Sequence, residues 1–308
     1  MRYPSLLATA PPVDLSSAKV VMAFAAVYVL WGGSYVGVGL AVETLPPLFM
    51  MAVRCLMAGA MLLAVALARS YPWPGWREWR AASIAGILFF VLCHGALGYA
   101  QQRVPPGLAA LLMASVPLWV PLVSWLRPAG RRPRPRTIAG IGTGFAGVAF
   151  LIMTRDAPLA DAVEMSHVAV LLLAAISWAI GTVVSRESPL PASPFQTAGM
   201  ELLIGGALLL VASTAFGELE LLDLATVSVR SLLGLGYLIL FGSLLAFSAY
   251  VFLLRTSAPE RVATYAYVNP VVAVVLGWLL LGETVTGTML IAALIILAAV
   301  AVTIGEGS

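Results

Sequence analysis

The sequence predicts an all-α membrane protein with ten transmembrane helices, arranged as two inverted five-helix repeats. Hydrophobic residues make up 61% of the 308 residues and charged residues only 10%, whereas soluble domains carry about 25% charged residues. The apolar residues form successive blocks of about 17 to 24, the length at which a helix crosses the hydrocarbon core of a bilayer. Features of the first half also recur in the second half, which indicates an internal duplication.

Proline and glycine residues separate the apolar blocks and set the expected ends of each helix. The predicted spans are 20–41, 47–69, 82–101, 105–126, 137–153, 167–185, 194–216, 231–254, 260–281 and 287–305. The connections between them are too short for a folded soluble domain, so we expect a single membrane domain.

The expected organisation has four parts. Residues 1–19 form a cytoplasmic tail, because their apolar patch is short and interrupted by prolines. Residues 20–153 form the first repeat, 154–166 an outer linker and 167–308 the second repeat.

The distribution of basic residues predicts the orientation. If the N-terminus is cytoplasmic, 13 of the 17 basic residues fall on the cytoplasmic side and three fall outside, with Arg54 inside the membrane. Basic residues concentrate on the cytoplasmic side of membrane proteins. We therefore expect a multi-pass membrane protein with both termini in the cytoplasm.

The internal duplication appears when the second half is aligned with the first. An offset of 147 residues gives the pairs Trp31 and Trp178, Pro47 and Pro194, Arg54 and Glu201, and Gly59 and Gly206. Because five helices make one repeat, the second repeat enters the membrane from the opposite side. Inverted repeats around a shared midplane site are typical of alternating-access secondary transporters.

Two stretches carry a resemblance to a known family. They are LWGGSYVGVGLAVETLPPLFMMAVRCLMAG in the first repeat and AYVNPVVAVVLGWLLLGETVTGTMLIAALIILAAV in the second. Together they resemble the EamA-type members of the drug/metabolite transporter superfamily. That resemblance implies an inner-membrane exporter of small metabolites, with amino acids as frequent substrates.

Two charged residues fall inside predicted spans, and such residues mark candidate functional sites. Arg54 and Glu201 each lie seven residues after a helix-starting proline, which is roughly 10 Å into the membrane from opposite faces. Their depths then differ by about 10 Å in a 30 Å core, so a direct ion pair is not required. Glu201 is the candidate for proton exchange, and the sequence leaves open whether protons are coupled.

Polar residues at helical spacing predict the lining of a cavity. His94, Gly98 and Gln102 follow at intervals of four and are expected to share one helix face. Trp31, Tyr35 and Trp178 are expected near the bilayer middle, where an indole N–H needs a partner. Trp119, Tyr265 and Asn269 come from the fourth and ninth helices. For each of them, packing in the core is the alternative to substrate binding.

The expected partners are the lipid bilayer and a small molecule, an amino acid or a related metabolite, and no nucleic acid. Cys55 and Cys93 show no metal-ligand spacing, and no cofactor or metal is expected. A broad exporter of drugs or cations is the alternative within transport. An intramembrane enzyme or scaffold is the alternative outside it, although we find no set of catalytic residues for an enzyme.

Overall fold

The fold was analysed in a computed structural model that describes residues 18–127, 130, 132–153, 164–191, 193–257, 262 and 264–304. The predicted tail and most of the predicted linker lie outside the described residues. Eight helices in the described chain are long and apolar enough to span a membrane. These are α1 (Ala18–Ala41), α2 (Pro47–Ala68), α3 (Trp76–Ala100), α4 (Pro106–Trp125), α5 (Pro135–Met153), α6 (Met165–Glu187), α7 (Pro194–Ala215) and α8 (Val229–Thr256).

Two shorter apolar helices follow, α9 (Tyr265–Leu281) and α10 (Gly287–Ile304). Seventeen residues are close to the lower limit for crossing the hydrocarbon core. α9 ends at Gly282, whose positive φ of 68° is favourable for glycine and terminates the helix.

α3 begins six residues earlier than predicted. The Gly75 N–H donates to the Glu78 carboxylate at 2.6 Å, so the N3 glutamate caps the start of the helix. The first turns of α3 are polar, so a hydrophobicity pattern alone misses them.

α3 and α8 each contain a π-helical stretch, which the sequence analysis did not predict. The stretches are Ile87–Gly95 in α3 and Leu238–Phe247 in α8. A π-helical turn widens the helix and rotates the residues that follow it relative to an α-helix. Both stretches lie in the middle of long helices, and both contribute to the site described below.

The halves of the bundle pack against each other in corresponding pairs. α2 packs on α7 and α5 on α10, while α1 contacts α8 and α9, and α6 contacts α3 and α4. At the α2–α7 contact, a side chain at Gly59 would meet the Leu203 backbone nitrogen at 2.9 Å, and one at Gly206 would meet that of Leu56 at 2.8 Å. Both glycines are therefore required for the close approach of the two helices.

The connections lie at two ends of the bundle. One end, here called the Glu218 face, holds residues 42–46, 101–105, 216–228 and 282–286. The opposite end, the Arg186 face, holds residues 69–75, 188–191 and the starts of α1, α5 and α9. Contacts between loops, such as that from Gln196 to the Pro72 carbonyl, link the two halves at this end.

Candidate functional site

A small chamber lies between the middle parts of the helices. Its volume is about 60 Å³, enough for a few water molecules or a group of similar size. Its wall consists of Trp31, Ser34, Tyr35, Val38, Arg54, Cys93, His94, Leu97, Met113, Val116, Trp178, Tyr265 and Asn269. The chamber therefore combines aromatic rings with one arginine, and the described residues of its wall include no aspartate or glutamate.

Aromatic rings from both halves form one cluster at this chamber. The Trp31 ring lies 5.4 Å from that of Trp178 and 5.5 Å from that of Tyr265, in both cases edge to face. Tyr250, which the sequence analysis missed, lies 4.9 Å from Trp31, and its hydroxyl is 2.8 Å from the Thr182 hydroxyl. Such pairs stabilise the cluster beyond the area they bury.

The π-helical stretches orient this cluster. Trp31 Nε1 donates to the Gly242 carbonyl in α8 at 2.9 Å, and the Ser177 hydroxyl donates to the Leu88 carbonyl in α3 at 2.8 Å. Wide turns free carbonyl groups that must find partners inside a membrane protein. Side chains from α1 and α6 thus satisfy carbonyls from the two wide turns.

Among the described residues of the chamber wall, Arg54 is the one that carries a full charge. It is 2% exposed, and its Nε donates to the Ser243 hydroxyl in the π-helical stretch of α8 at 2.7 Å. Nη1 lies 3.7 Å from the Met51 sulfur, which is a weak acceptor. Among the described residues, Arg54 has no acidic partner.

His94 lies in the π-helical stretch of α3 and is buried. Its Nδ1 lies 2.6 Å from the Phe89 carbonyl, and its ring stacks on Phe90 at 5.2 Å and lies 5.4 Å from Trp178. His94 is part of the chamber wall, and its second ring nitrogen is the one available for a ligand. In the part of the chain that the structure describes, no three His, Cys, Asp or Glu side chains are grouped as a metal site.

Asn269 and Tyr35 complete the polar side of the chamber. In the amide orientation that satisfies its surroundings, the Asn269 nitrogen donates to the Tyr28 carbonyl at 2.9 Å. Tyr35 places its ring in the wall, and its backbone carbonyl accepts a hydrogen bond from Gln101 Nε2 at 2.9 Å. The α1 backbone is thus held from both sides.

The structure corrects the predicted stripe of His94, Gly98 and Gln102. The α-helix ends at Ala100, and Gln102 is exposed in the following turn, near Arg103 and Arg230 at the Glu218 face. Gln101, which the pattern did not select, is buried instead. A strict spacing of four residues fails here because Gln102 lies beyond the end of the helix, in the turn formed by residues 101–103.

Trp119 also lies away from the chamber wall. Its ring packs against Phe145 of α5 at 4.5 Å. α4 is interrupted at Ala114 and Ser115, directly before Pro117, whose ring cannot continue the preceding helix. Trp119 therefore packs between α4 and α5 and does not line the chamber.

Glu201 is fully buried but does not line the chamber. Its Oε1 accepts from the Ser185 hydroxyl at 3.1 Å, and Oε2 has no hydrogen-bond partner within the described chain. Arg255 donates to Thr197 Oγ1 at 2.7 Å, one turn before Glu201. No ion pair joins Arg54 to Glu201 among the described residues, as the estimated depths had indicated.

A larger cavity, here called the vestibule, lies beside the chamber, toward the Arg186 face. Its volume is about 260 Å³, and its wall includes Thr182, Arg186, Glu187 and Tyr250. Val116 and Tyr265 belong to the walls of both the chamber and the vestibule. The two cavities therefore meet at these residues.

The Glu218 face is held together by contacts between the halves. The Glu218 carboxylate accepts from the N–H groups of Leu48 and Phe49 at 3.2 and 2.8 Å, and Glu283 accepts from the Gly107 N–H at 3.1 Å. Carboxylates at the N-termini of α2 and α4 also interact favourably with the helix dipoles. These contacts hold the starts of α2 and α4 at this face.

The comparison with protein families decides the identity of this bundle. The model of the EamA-like transporter family matches residues 18–153 and again residues 165–305. The chain belongs to the EamA-like transporter family. Each half of the chain carries one copy of the family domain, as the internal duplication predicts.

Two of three relatives of this EamA protein have names that describe transport. It is 37% identical to "Uncharacterized inner membrane transporter YedA" of Escherichia coli (strain K12), over 91% of this chain and 89% of the relative. It is 26% identical to "Probable amino-acid metabolite efflux pump" of Salmonella typhimurium, over 88% and 90%. It is 29% identical to "Protein PecM" of Dickeya dadantii, over 88% and 87%.

A solved crystal structure has the same fold. It covers 93% of this EamA chain and 97% of its own, with a TM-score of 0.66 and 23% identity. With its family match and its eight long apolar helices in the described chain, this is a multi-pass membrane protein of the EamA-like transporter family.

Proposed function

We propose that this protein exports small metabolites, with amino acids as the main substrates, across the inner membrane. The chamber carries this proposal: aromatic rings from both halves enclose it, Arg54 is the single charged residue among the described residues of its wall, and a larger vestibule lies beside it. Concave sites with apolar walls and few polar groups suit small organic ligands. A relative named as a probable amino-acid metabolite efflux pump supports the same substrate class.

Alternating access is the proposed mechanism, with two inverted five-helix repeats that rock around the chamber. The reciprocal contacts of Gly59 with Leu203 and of Gly206 with Leu56 support a two-fold relation between the halves. With both termini in the cytoplasm, the vestibule faces the cytoplasm and the Glu218 face is outside. The structure then corresponds to a state that receives substrate from the cytoplasm.

Glu201 is the proposed proton site of this transporter. It has an unpartnered carboxylate oxygen and is joined by Ser185 to a cavity of about 330 Å³ lined by Arg186, Ser188 and Arg255. A buried carboxylate without a full set of donors favours its neutral form. Proton exchange with the cytoplasmic side through Ser185 follows from this arrangement.

The direct test is transport by the purified protein in proteoliposomes. Radiolabelled phenylalanine, leucine and a lipophilic cation are offered with and without a pH gradient. We expect the amino acids to move, His94→Ala and Trp178→Ala to reduce their rate, and Gln102→Ala and Trp119→Phe to leave it unchanged. Transport of the cation alone would replace the proposal with the drug-exporter alternative.

Proton coupling is tested in the same proteoliposomes by comparing two variants with the wild type. Glu201→Gln removes the titratable group, and Glu220→Gln removes an exposed carboxylate at the other face. We expect the pH gradient to accelerate amino-acid transport by the wild type and by Glu220→Gln, but not by Glu201→Gln. Equal responses of both variants and the wild type would exclude Glu201 as the proton site.

A further inference from the structure

We propose that Arg54 is the substrate anchor and binds a carboxylate group of the transported molecule in the chamber. This inference rests on the proposed function and narrows its substrate class to carboxylates that carry an apolar or aromatic group. Arg54 is then a specificity-determining residue, and lipophilic cations are excluded from the chamber.

The first argument is the number of unused donors on Arg54. A guanidinium group has five N–H bonds, and here one donates to Ser243 and one points to the Met51 sulfur. Nη2 has no hydrogen-bond partner in the part of the chain that the structure describes. An arginine that is 2% exposed and lacks an anion is unfavourable inside a membrane protein, and a bound carboxylate supplies that anion.

The second argument is that the guanidinium group is already oriented. The bond from Nε to the Ser243 hydroxyl fixes one edge of the group. Gly242 leaves the region around Nη2 open, because a side chain there would come within 3.3 Å of Nη2 and within 2.8 Å of the Ser34 hydroxyl. A fixed guanidinium group loses less entropy when it binds a carboxylate through two parallel hydrogen bonds.

The third argument is the size of the cavities. About 60 Å³ beside Arg54 accommodates a carboxylate more readily than a whole amino acid, and the vestibule adds about 260 Å³ beyond Val116 and Tyr265. Arg54 lies two turns from the start of α2 at the Glu218 face. The carboxylate therefore points toward the Glu218 face, and the side group of the substrate lies against Trp178 and Tyr265.

The test uses three ligands that differ by one charged group: phenylalanine, 3-phenylpropionate, which lacks the amine, and phenethylamine, which lacks the carboxylate. We expect the wild type to transport the first two and not the third. Arg54→Gln should slow the transport of phenylalanine and of 3-phenylpropionate roughly tenfold to a hundredfold, which is the range for loss of hydrogen bonds to a charged group. Arg54→Lys keeps the charge without the planar group. Its transport rates for the two carboxylates should lie between those of the wild type and those of Arg54→Gln.

A second measurement does not depend on transport. Benzoate is added to the detergent-solubilised protein, and the melting temperature is recorded. We expect benzoate to raise the melting temperature of the wild type and of Trp119→Phe, but not of Arg54→Gln. If Arg54→Gln does not fold, Ser243→Ala is used instead. The benzoate concentration that gives half of the melting-temperature shift should be higher for Ser243→Ala than for the wild type, because the guanidinium group is no longer held.

The outcomes separate the two proposals. Unchanged carboxylate transport by folded Arg54→Gln overturns the anchor and leaves the proposed export intact. A benzoate shift that depends on Arg54, without amino-acid transport, supports the anchor and rejects amino acids as the cargo. Preferential transport of phenethylamine, or equal benzoate shifts in the wild type and the arginine variants, overturns the anchor.

Discussion

Trp31 and Trp178 meet edge to face at 5.4 Å, although 147 residues separate them in the chain. They occupy equivalent positions in the two halves, yet their indole groups have different partners. Trp31 Nε1 donates to the Gly242 carbonyl, while Trp178 Nε1 lies near the Tyr250 and Tyr265 hydroxyls but makes no well-aligned hydrogen bond among the described residues. The same residue type thus supports the fold in one half and remains available to a ligand in the other.

This difference predicts different effects of the same substitution. Trp31→Phe leaves the Gly242 carbonyl without its partner and should destabilise the protein by about 1 to 3 kcal/mol. Trp178→Phe removes no such bond, so its effect on stability should be smaller and its effect on transport larger. Unfolding in detergent and transport in proteoliposomes measure the two effects, and equal loss of stability in both variants would contradict the assignment.

Glu218 is predicted to stabilise the contact between the halves. Its carboxylate accepts from Leu48, Phe49 and Ser213, so Glu218→Ala leaves three donors unsatisfied. We expect a loss of about 1 to 3 kcal/mol and greater labelling of a cysteine introduced at Leu48. Glu220→Ala, in the same loop but exposed, serves as control, and a similar effect there would exclude a specific role for Glu218.

Glu283 is predicted to make stability depend on pH. Burial raises the pKa of this carboxyl above its ordinary value of 4.5, and the hydrogen bond from Gly107 offsets part of the rise. The folded protein therefore binds a proton more tightly than the unfolded chain, so stability falls as pH rises above about 4.5 until the raised pKa has been passed. In a plot of melting temperature against pH, Glu283→Gln should flatten the decline above about pH 4.5. An unchanged slope in this variant would refute the prediction.

Gly86 is predicted to tolerate no side chain. A Cβ there would lie 2.6 Å from the Glu201 backbone carbonyl, so Gly86→Ala must separate α3 from α7. Gly142 is the matched control, because a Cβ at this helical position meets nothing within 4 Å. We expect Gly86→Ala to lower the melting temperature and Gly142→Ala to leave it unchanged or raise it slightly. Similar melting temperatures of the two variants would argue against close packing of α3 on α7.

Seven of the residues selected from the sequence line the chamber, because charges and aromatic rings are costly in a membrane unless they face a partner or a cavity. Arg54, His94, Trp31, Trp178, Tyr265, Asn269 and Tyr35 all line the chamber. Gln102 and Trp119 do not, since their selection assumed uninterrupted α-helices. Tyr250, Ser34 and Ser243 were missed because no periodic polar pattern connects them.

The sequence by itself determined the class of protein, the approximate helices and the two related halves, because hydrophobic length and the spacing of prolines depend only on local chemistry. Only the tertiary structure decided which polar residues meet. The π-helical stretches rotate parts of α3 and α8, and Ser243 lies beside Arg54 although 189 residues separate them. Such contacts depend on the packing of helices that are distant in the chain, which no local pattern encodes.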